Sequence, residues 1–252
     1  MASLYIEVSV VFSVGLVLGS FATALSWRIP RNIPWIFRNG KRADFARSSC
    51  PHCHKVLSFF DLIPFFSWLF LRGRCRHCRH FIGWRYPATE LLTVVGCLGI
   101  YGVWGFTIPA FLLMLAVSLL VALLVIDIEH MILPDQLNLM LAALAVVLMV
   151  YQMAAYGLSY GFGQHTLFLK LAGMLSFGGI SWVTGWGIAK IIKKDALGAG
   201  DVKFFAVAGL WLGIAYLPYF LFFAGLLGVI LGGGYKIFFK KQQFPFGPAL
   251  IL

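Results

Sequence analysis

Long apolar runs, each near 20 residues and almost free of charge, recur along this chain of 252 residues. A helix needs about 20 apolar residues to cross the hydrocarbon core of a bilayer. The runs predict spans at 4–26, 86–105, 108–126, 137–156, 166–192, 204–217 and 219–238. Residues 244–252 resemble the start of an eighth span. The sequence therefore predicts an all-α polytopic membrane protein with about seven transmembrane helices.

Composition excludes the other broad classes of protein. Hydrophobic residues make up 61% of the chain and charged residues 12%, whereas soluble domains are about half apolar and about a quarter charged. These values rule out a soluble globular enzyme, a disordered chain and a disulfide-rich secreted module. The first apolar run has no basic residue before it and is followed by Arg28 and Arg31, which is the reverse of a cleavable signal. We expect it to remain as the first span.

Basic residues are concentrated in one long polar stretch. Twelve of the 20 Lys and Arg residues lie between Arg28 and Arg85, and cytoplasmic loops collect such residues. An outside N-terminus would place this stretch, and the polar breaks at 127–136, 193–203 and 239–243, on the cytoplasmic side, with Lys170 as the exception. Topology thus accounts for the net charge of +11, and we expect contact with membrane lipid and none with nucleic acid. The predicted parts are a first helix (1–27), a cytoplasmic cysteine loop (28–85) and a transmembrane domain (86–252).

Two Cys-x-x-Cys pairs lie in the basic stretch. Cys50 and Cys53 form the first pair, and Cys75 and Cys78 form the second after 21 intervening residues. Four thiolates suit tetrahedral zinc, and with no open coordination position the metal would be structural. Stable disulfides are not expected in the cytosol, and a redox role is the alternative. Cys97 lies alone in an apolar run and is predicted to be a buried small hydrophobe.

Two aspartates are predicted at the same face of the membrane. Asp127 follows the apolar run Leu119–Ile126, and Asp201 closes the segment Gly198-Ala199-Gly200-Asp201. Two carboxylates that share a site cannot both ionise cheaply, so one keeps its proton. The charged member can then activate water while the neutral member protonates a carbonyl oxygen, which is aspartyl protease chemistry. Gly198 and Gly200 lack a Cβ where a substrate or a helix must come close.

Each aspartate alone has a simpler interpretation. An Asp at a helix start is a common N-cap, which would explain Asp201 and Asp135, and Asp127 could instead pair with a nearby Lys or Arg. His130 lacks a second His at helical spacing, so we do not expect it to bind metal. The alternative function is a proton-coupled transporter that uses both acids as a relay, but such a protein would hold them near the bilayer midplane.

The order of several short motifs carries a resemblance to a known family. The motifs are Gly19-Ser20-Phe21, Arg28-Ile29-Pro30, Ile63-Pro64, Leu71-Arg72-Gly73-Arg74-Cys75, Arg85-Tyr86-Pro87-Ala88-Thr89-Glu90, Leu133-Pro134-Asp135, Gly198-Ala199-Gly200-Asp201-Val202-Lys203 and Pro245-Phe246-Gly247-Pro248. Together they resemble the type IV prepilin peptidases, which are bifunctional prepilin leader peptidases and N-methyltransferases with a GxGD-type aspartyl site.

The resemblance implies an endopeptidase of the bacterial inner or plasma membrane. It would cleave the basic leader of type IV prepilin or pseudopilin precursors after a Gly at the cytoplasmic face, with Asp127 and Asp201 as the catalytic pair. It also implies methylation of the new N-terminus with S-adenosylmethionine, for which Gly73 and Glu90 match family positions. The chain departs from the family at Asp195-Ala196-Leu197, where Glu, a small residue and Met are usual, and the family usually completes a further span after Pro248.

Overall fold

The computed structural model describes residues 2–33, 37–38, 41–42, 48–50, 52–156, 162–193, 197–239 and 244–251. The α-helices within these residues are α1 (Ala2–Arg28), α2 (Phe66–Phe70), α3 (Arg85–Trp104), α4 (Ile108–His130), α5 (Asp135–Tyr156), α6 (Phe162–Ile192), α7 (Ala199–Leu212), α8 (Leu217–Phe239) and α9 (Gly247–Ile251). Short 3-10 turns occupy Ile29–Arg31, Phe59–Leu62 and Ile214–Tyr216, and a small antiparallel pair joins Phe37–Arg38 to Lys41–Arg42. The prediction of an α-helical membrane protein is confirmed. The departure at Asp195 and Ala196 lies outside the described residues.

Six helices in the described part of the chain are long and apolar enough to cross a membrane: α1, α3, α4, α5, α6 and α8. The predicted count of seven spans is not confirmed, because α7 has 14 residues and falls short of the usual spanning length. Gly213 ends α7 with φ 81°, and the 3-10 turn follows. Pro218, where the sequence placed the break, instead occupies the first turn of α8, where its missing amide breaks no helical hydrogen bond.

The chain divides into two compact units, Met1–Val125 and Ile126–Leu252. In the first unit α1 packs closely along α3, because Gly19 has no side chain. A Cβ at Gly19 would lie 2.7 Å from the Cα of Glu90. Cys97 is fully buried in a cluster with Val11, Ala110 and Met114, as predicted for a small hydrophobe. The predicted division at residues 27 and 85 stays a prediction.

In the second unit α7 is held by its neighbours on several sides. Gly173 of α6 and Gly209 of α7 meet backbone to backbone, since a Cβ at Gly173 would lie 2.5 Å from the carbonyl oxygen of Gly209. The indole of Trp211 donates a hydrogen bond to the carbonyl of Leu141 in α5 at 3.1 Å. Phe205 contacts Phe220 of α8 edge to face, with ring centroids 5.5 Å apart. These contacts fix the helix that carries Asp201.

Candidate functional site

Asp127 lies in the last turn of α4 and is only 4% exposed. The helix ends at His130, and Met131 follows with a left-handed backbone, φ 55°. The buried carboxylate accepts a hydrogen bond at Oδ2 from the backbone amide of Gly247, at 2.7 Å. A buried carboxylate with one strong donor keeps its orientation, and the second oxygen remains for other partners.

Gly247 is the first residue of α9, within the segment Pro245-Phe246-Gly247-Pro248. The first amides of a helix have no partner within that helix, and here one of them binds Asp127. A Cβ at residue 247 would lie 2.7 Å from Oδ2, 2.8 Å from Cγ and 2.9 Å from Cβ of Asp127. The contact therefore requires glycine. The sequence showed the motif but gave no reason to connect it with Asp127.

Asp201 is the third residue of α7 and is half-buried. Its Oδ2 accepts a hydrogen bond from the amide of Gly198 at 3.1 Å. Asp201 is therefore not the N-cap residue, although its carboxylate does satisfy the amide of the residue at that position. Asp201 lies outside the six spans. Burial raises the pKa of its carboxyl group, and the hydrogen bond from Gly198 opposes this effect.

Gly200 brings the first turn of α7 against the segment that follows α4. A Cβ at this position would lie 2.9 Å from the carbonyl oxygen of Leu133 and 3.2 Å from its Cβ. Leu133 is buried and lies between the helices that end at His130 and begin at Asp135. Close approach at Gly200 therefore sets the distance between the end of α4 and the start of α7.

The two carboxylates, 74 positions apart in sequence, lie within range of mutual electrostatic repulsion. Asp127 makes no ion pair with Lys or Arg in the part of the chain that the structure describes. The alternative interpretation, in which Asp127 forms a salt bridge with a nearby Lys or Arg, is therefore not supported among those residues. The geometry instead brings together two acids, each with its Oδ2 bonded to a glycine amide.

An ion pair next to this site was not predicted from the sequence. Lys203, two residues after Asp201, donates to both carboxylate oxygens of Asp135 at 2.7 Å. Asp135 is the first residue of α5, so the pair joins the starts of α5 and α7. Both side chains are more than half exposed, so we expect the pair to contribute at most about 1 kcal/mol to stability. The Val-Lys ending of the glycine–aspartate motif was the available signal.

The four cysteines of the two pairs gather into one cluster. Their Sγ atoms all lie within 4.8 Å of one another, with Cys50 and Cys78 3.9 Å apart. Zn–S bonds of about 2.3 Å in a tetrahedron place sulfur atoms about 3.8 Å apart. The cluster therefore has the donor set and the spacing for a tetrahedral metal ion. It is the only group of this kind found among the described residues.

The two pairs fold in the same way. The amide of Cys50 donates to the carbonyl of Lys55 at 3.0 Å, and the amide of Cys75 donates to the carbonyl of His80 at 2.9 Å. Each turn contains a residue with a left-handed backbone four positions after its first cysteine: His54 with φ 55° and Arg79 with φ 59°. The imidazoles of His52 and His80 stack at 4.1 Å between ring centroids. Because both Cys-x-x-Cys pairs adopt the same turn, each pair directs its two sulfur atoms towards the common cluster in the same way.

Backbone amides within the second turn favour the thiolate form of one cysteine. The amide of Cys78 lowers the pKa of Cys75 to about 7, burial opposes this effect, and the amide of His77 contributes to the lowering. At Cys78 the amide of His80 lowers the pKa, but burial and the neighbouring thiols outweigh it and raise the value to about 11. A low pKa at one cysteine favours entry of a metal ion, which binds thiolates.

Gly73 and Glu90 both make structural contacts in the first unit. Glu90 is buried and accepts a hydrogen bond at Oε2 from the amide of Phe65 at 2.6 Å. Gly73 has a positive φ of 68°, and a Cβ there would lie 3.0 Å from the ring of Trp68. Gly73 therefore packs within the cysteine loop, and Glu90 binds Phe65 of that loop to α3. The His130 side chain is exposed, and its Nε2 lies 3.8 Å from Oε2 of Glu129.

Two family models together cover most of the chain. Residues 13–104 match the model described as the bacterial peptidase A24 N-terminal domain. Residues 112–233 match the model described as the type IV leader peptidase family. The chain belongs to the type IV leader peptidase family. The first match includes the four clustered cysteines, Gly73 and Glu90, and the second includes both aspartates. Membership of this family, predicted from the order of the motifs, is confirmed.

Curated relatives in the family are similar over nearly their whole length. The "type 4 prepilin-like proteins leader peptide-processing enzyme" of Escherichia coli O78:H11 is 33% identical over 94% of this chain and 88% of its own. The "prepilin leader peptidase/N-methyltransferase" of Aeromonas hydrophila is 33% identical over 97% and 87%. That of Bacillus subtilis is 32% identical over 96% and 90%. No solved structure matches the chain significantly. Family and helices together identify a multi-pass membrane protein.

Proposed function

We propose that this chain is a membrane aspartic endopeptidase that removes the leader from type IV prepilin or pseudopilin precursors. The observation that carries the proposal is the pair formed by Asp127 and Asp201. Asp127 is buried and Asp201 is half-buried, the two carboxyl groups are close enough to interact electrostatically, and each has one oxygen bonded to a glycine amide. The relatives named as prepilin leader peptidases support the choice of substrate.

The pair can perform peptide hydrolysis with a single shared proton. Two neighbouring carboxylates cannot both ionise cheaply, so one is charged and the other neutral. The charged carboxylate takes a proton from water, whose oxygen attacks the scissile carbonyl carbon, and the neutral carboxylate protonates the carbonyl oxygen. When the tetrahedral intermediate collapses, a proton passes to the leaving nitrogen and the C–N bond breaks. The glycine amides bind Oδ2 of each aspartate, so the Oδ1 atoms are left for water and substrate.

The proposed substrate has a basic leader followed by a hydrophobic helix. That helix would lie in the bilayer, and the peptide bond to be cut would be extended, because a helical carbonyl is engaged in the helix's own hydrogen bonds. Asp127 lies at the end of α4 and Asp201 at the start of α7. The excess of Lys and Arg in the cysteine loop favours a cytoplasmic position for these ends in the bacterial inner or plasma membrane.

The cysteine cluster fits a structural zinc ion. Cys50, Cys53, Cys75 and Cys78 would supply four thiolates and leave no open position, so the ion would stabilise the loop without entering the reaction. The relatives named as N-methyltransferases favour a second activity with S-adenosylmethionine. Gly73 and Glu90 would support that activity by holding the loop, as their contacts indicate.

A transporter remains a weaker interpretation. A proton relay through both aspartates would place them at interrupted helices near the bilayer midplane, whereas Asp127 lies three residues from the end of α4. No relative reported above is named as a transporter.

The test is co-expression of the chain with a prepilin precursor, followed by mass spectrometry of the product's N-terminus. Asp127→Asn and Asp201→Asn should each lower cleavage by about 10²–10⁴-fold, as expected for loss of an acid–base group, while the protein stays in the membrane. The matched control is Glu129→Gln, an exposed acid two residues from Asp127, which should cleave normally. Wild-type processing by either asparagine variant would refute the assignment. The same spectrum shows whether a methyl group has been added.

A further inference from the structure

The cysteine loop carries an exposed apolar surface, here called the aromatic face: Phe60, Ile63, Phe66, Leu69 and Phe70. On α2, Phe66, Leu69 and Phe70 follow helical spacing and are 38%, 52% and 82% exposed. Most of these residues also line a groove of about 510 Å³. Exposure of this many large apolar side chains to water is unfavourable. We therefore expect the aromatic face to contact an apolar environment.

A hydrogen bond fixes the depth of the aromatic face relative to the membrane. The amide of Phe65, just before α2, donates to Glu90 at 2.6 Å. Glu90 lies five residues after Arg85, the first residue of α3, which corresponds to about 7.5 Å along a helix axis. Since the 20 residues of α3 span about 30 Å, the thickness of the hydrocarbon core, α2 lies level with the first turns of a spanning helix.

Aromatic contacts hold α2 in this position. The ring of Trp68 lies against Trp84, with centroids 4.4 Å apart, and its indole donates to the carbonyl of Ile82 at 2.9 Å. Trp84 directly precedes α3 and is 67% exposed. Tryptophan at the end of a spanning helix is typical of the membrane–water interface. The inward side of α2 is thus occupied, and its outward side is the aromatic face.

The charges around the face select the kind of partner. Arg72, Arg74 and Arg79 are exposed in the segment that follows α2, and Arg76 lines the groove but pairs with Asp61 at 2.7 Å. Residues 28–85 hold twelve basic residues against two acids. Such a surface attracts anionic headgroups and repels a basic leader peptide or a second copy of itself. We propose that the aromatic face is seated in the anionic lipid leaflet and anchors the cysteine loop to the bilayer surface as an interfacial element.

Photocrosslinking tests the proposal with the full chain in liposomes. Benzoylphenylalanine replaces Phe70, or Val56 as the matched control, which is 49% exposed on the same loop but outside the aromatic face. Irradiation and mass spectrometry should give phospholipid adducts at residue 70 several-fold above those at residue 56. Adducts to a protein as the main product, either a second copy or an added prepilin, would overturn the proposal. So would equal lipid yields at the two positions.

A second arm tests the anionic headgroups. Liposomes of phosphatidylcholine alone should give several-fold fewer lipid adducts at residue 70 than liposomes that also contain phosphatidylglycerol. The double variant Arg72→Gln/Arg74→Gln should remove that difference. Equal yields in both lipids for the unaltered arginines would refute the part assigned to the charges. Leader cleavage need not change, so failure here is distinguishable from failure of the peptidase assignment.

Discussion

Gly247→Ala is the substitution that most directly tests how Asp127 is held. The added methyl group would lie 2.7 Å from Oδ2 of Asp127, where ordinary contacts begin near 3.4 Å. The surrounding helix end is buried, and the nearest atom belongs to a carboxylate that is itself hydrogen-bonded to residue 247. Either the carboxylate retreats by about 0.7 Å or α9 moves away, and both movements lengthen the hydrogen bond.

The expected cost in rate follows from two effects. A hydrogen bond to a charged group is worth about 1.5–3 kcal/mol, and a displacement approaching 1 Å can cost about 10²-fold in catalysis. Both consequences arise from the same movement, so they are not added. We expect kcat for leader cleavage to fall by roughly 10²-fold. KM should change little, because the contact that the added methyl group disturbs is with the carboxylate of Asp127.

The assay is cleavage of a purified prepilin by the detergent-solubilised chain, with kcat and KM measured separately. The matched control is Gly225→Ala in α8, where an added Cβ meets nothing within 4 Å. Circular dichroism and thermal unfolding would establish that both variants are folded. If folded Gly247→Ala cleaves at the wild-type rate, then Asp127 is not positioned by this amide or does not take part in the reaction.

Three further predictions concern other parts of the chain. Gly209→Ala should lower the unfolding midpoint, because overpacking of a backbone contact costs about 1–3 kcal/mol, whereas Gly179→Ala has open space and should not; equal midpoints would contradict this. Elemental analysis should give about one zinc per wild-type chain and well under one for Cys75→Ser, with no loss for Cys97→Ala. Partial burial opposes ionisation of Asp61, but hydrogen bonds from a serine and an arginine outweigh it and lower its pKa. The carboxylate therefore stabilises the folded loop above about pH 4, and this contribution is lost as the pH falls through the lowered pKa. Hydrogen exchange of the loop should speed up on acidification, and in Asp61→Asn it should already be fast at neutral pH.

The helices and the family were predictable because their signals are local or ordered along the chain. An apolar run near 20 residues predicts a span wherever it occurs, and the boundaries of α3 and α5 follow the runs closely. The error in the second unit has a local cause. Residues 199–212 form a separate short helix because Gly213 adopts a conformation with φ 81°. The chain contains 27 glycines, so the presence of a glycine at 213 did not by itself predict the end of a helix.

The candidate site was predictable in its residue types but not in its contacts. The acidic side chains and the glycines before Asp201 indicated Asp127 and Asp201 as site residues. An ionisable group in or beside a membrane span is energetically costly and is therefore a candidate functional residue. The amide that binds Asp127 belongs to Gly247, 120 positions away. No pattern of side chains predicts that bond, because a backbone amide is present at nearly every residue. The pairing of Lys203 with Asp135 was hidden for a similar reason, as several basic residues were available.

The bond between Gly247 and Asp127 also has a consequence for biosynthesis. A ribosome that adds about 5–20 residues per second needs roughly 6–24 s to proceed from one residue to the other. During this interval α4 can already be in the membrane, yet its buried acid lacks the amide that orients it. Until α9 has been synthesised, the carboxylate of Asp127 lacks this hydrogen bond, so the proposed catalytic pair is completed only late in translation.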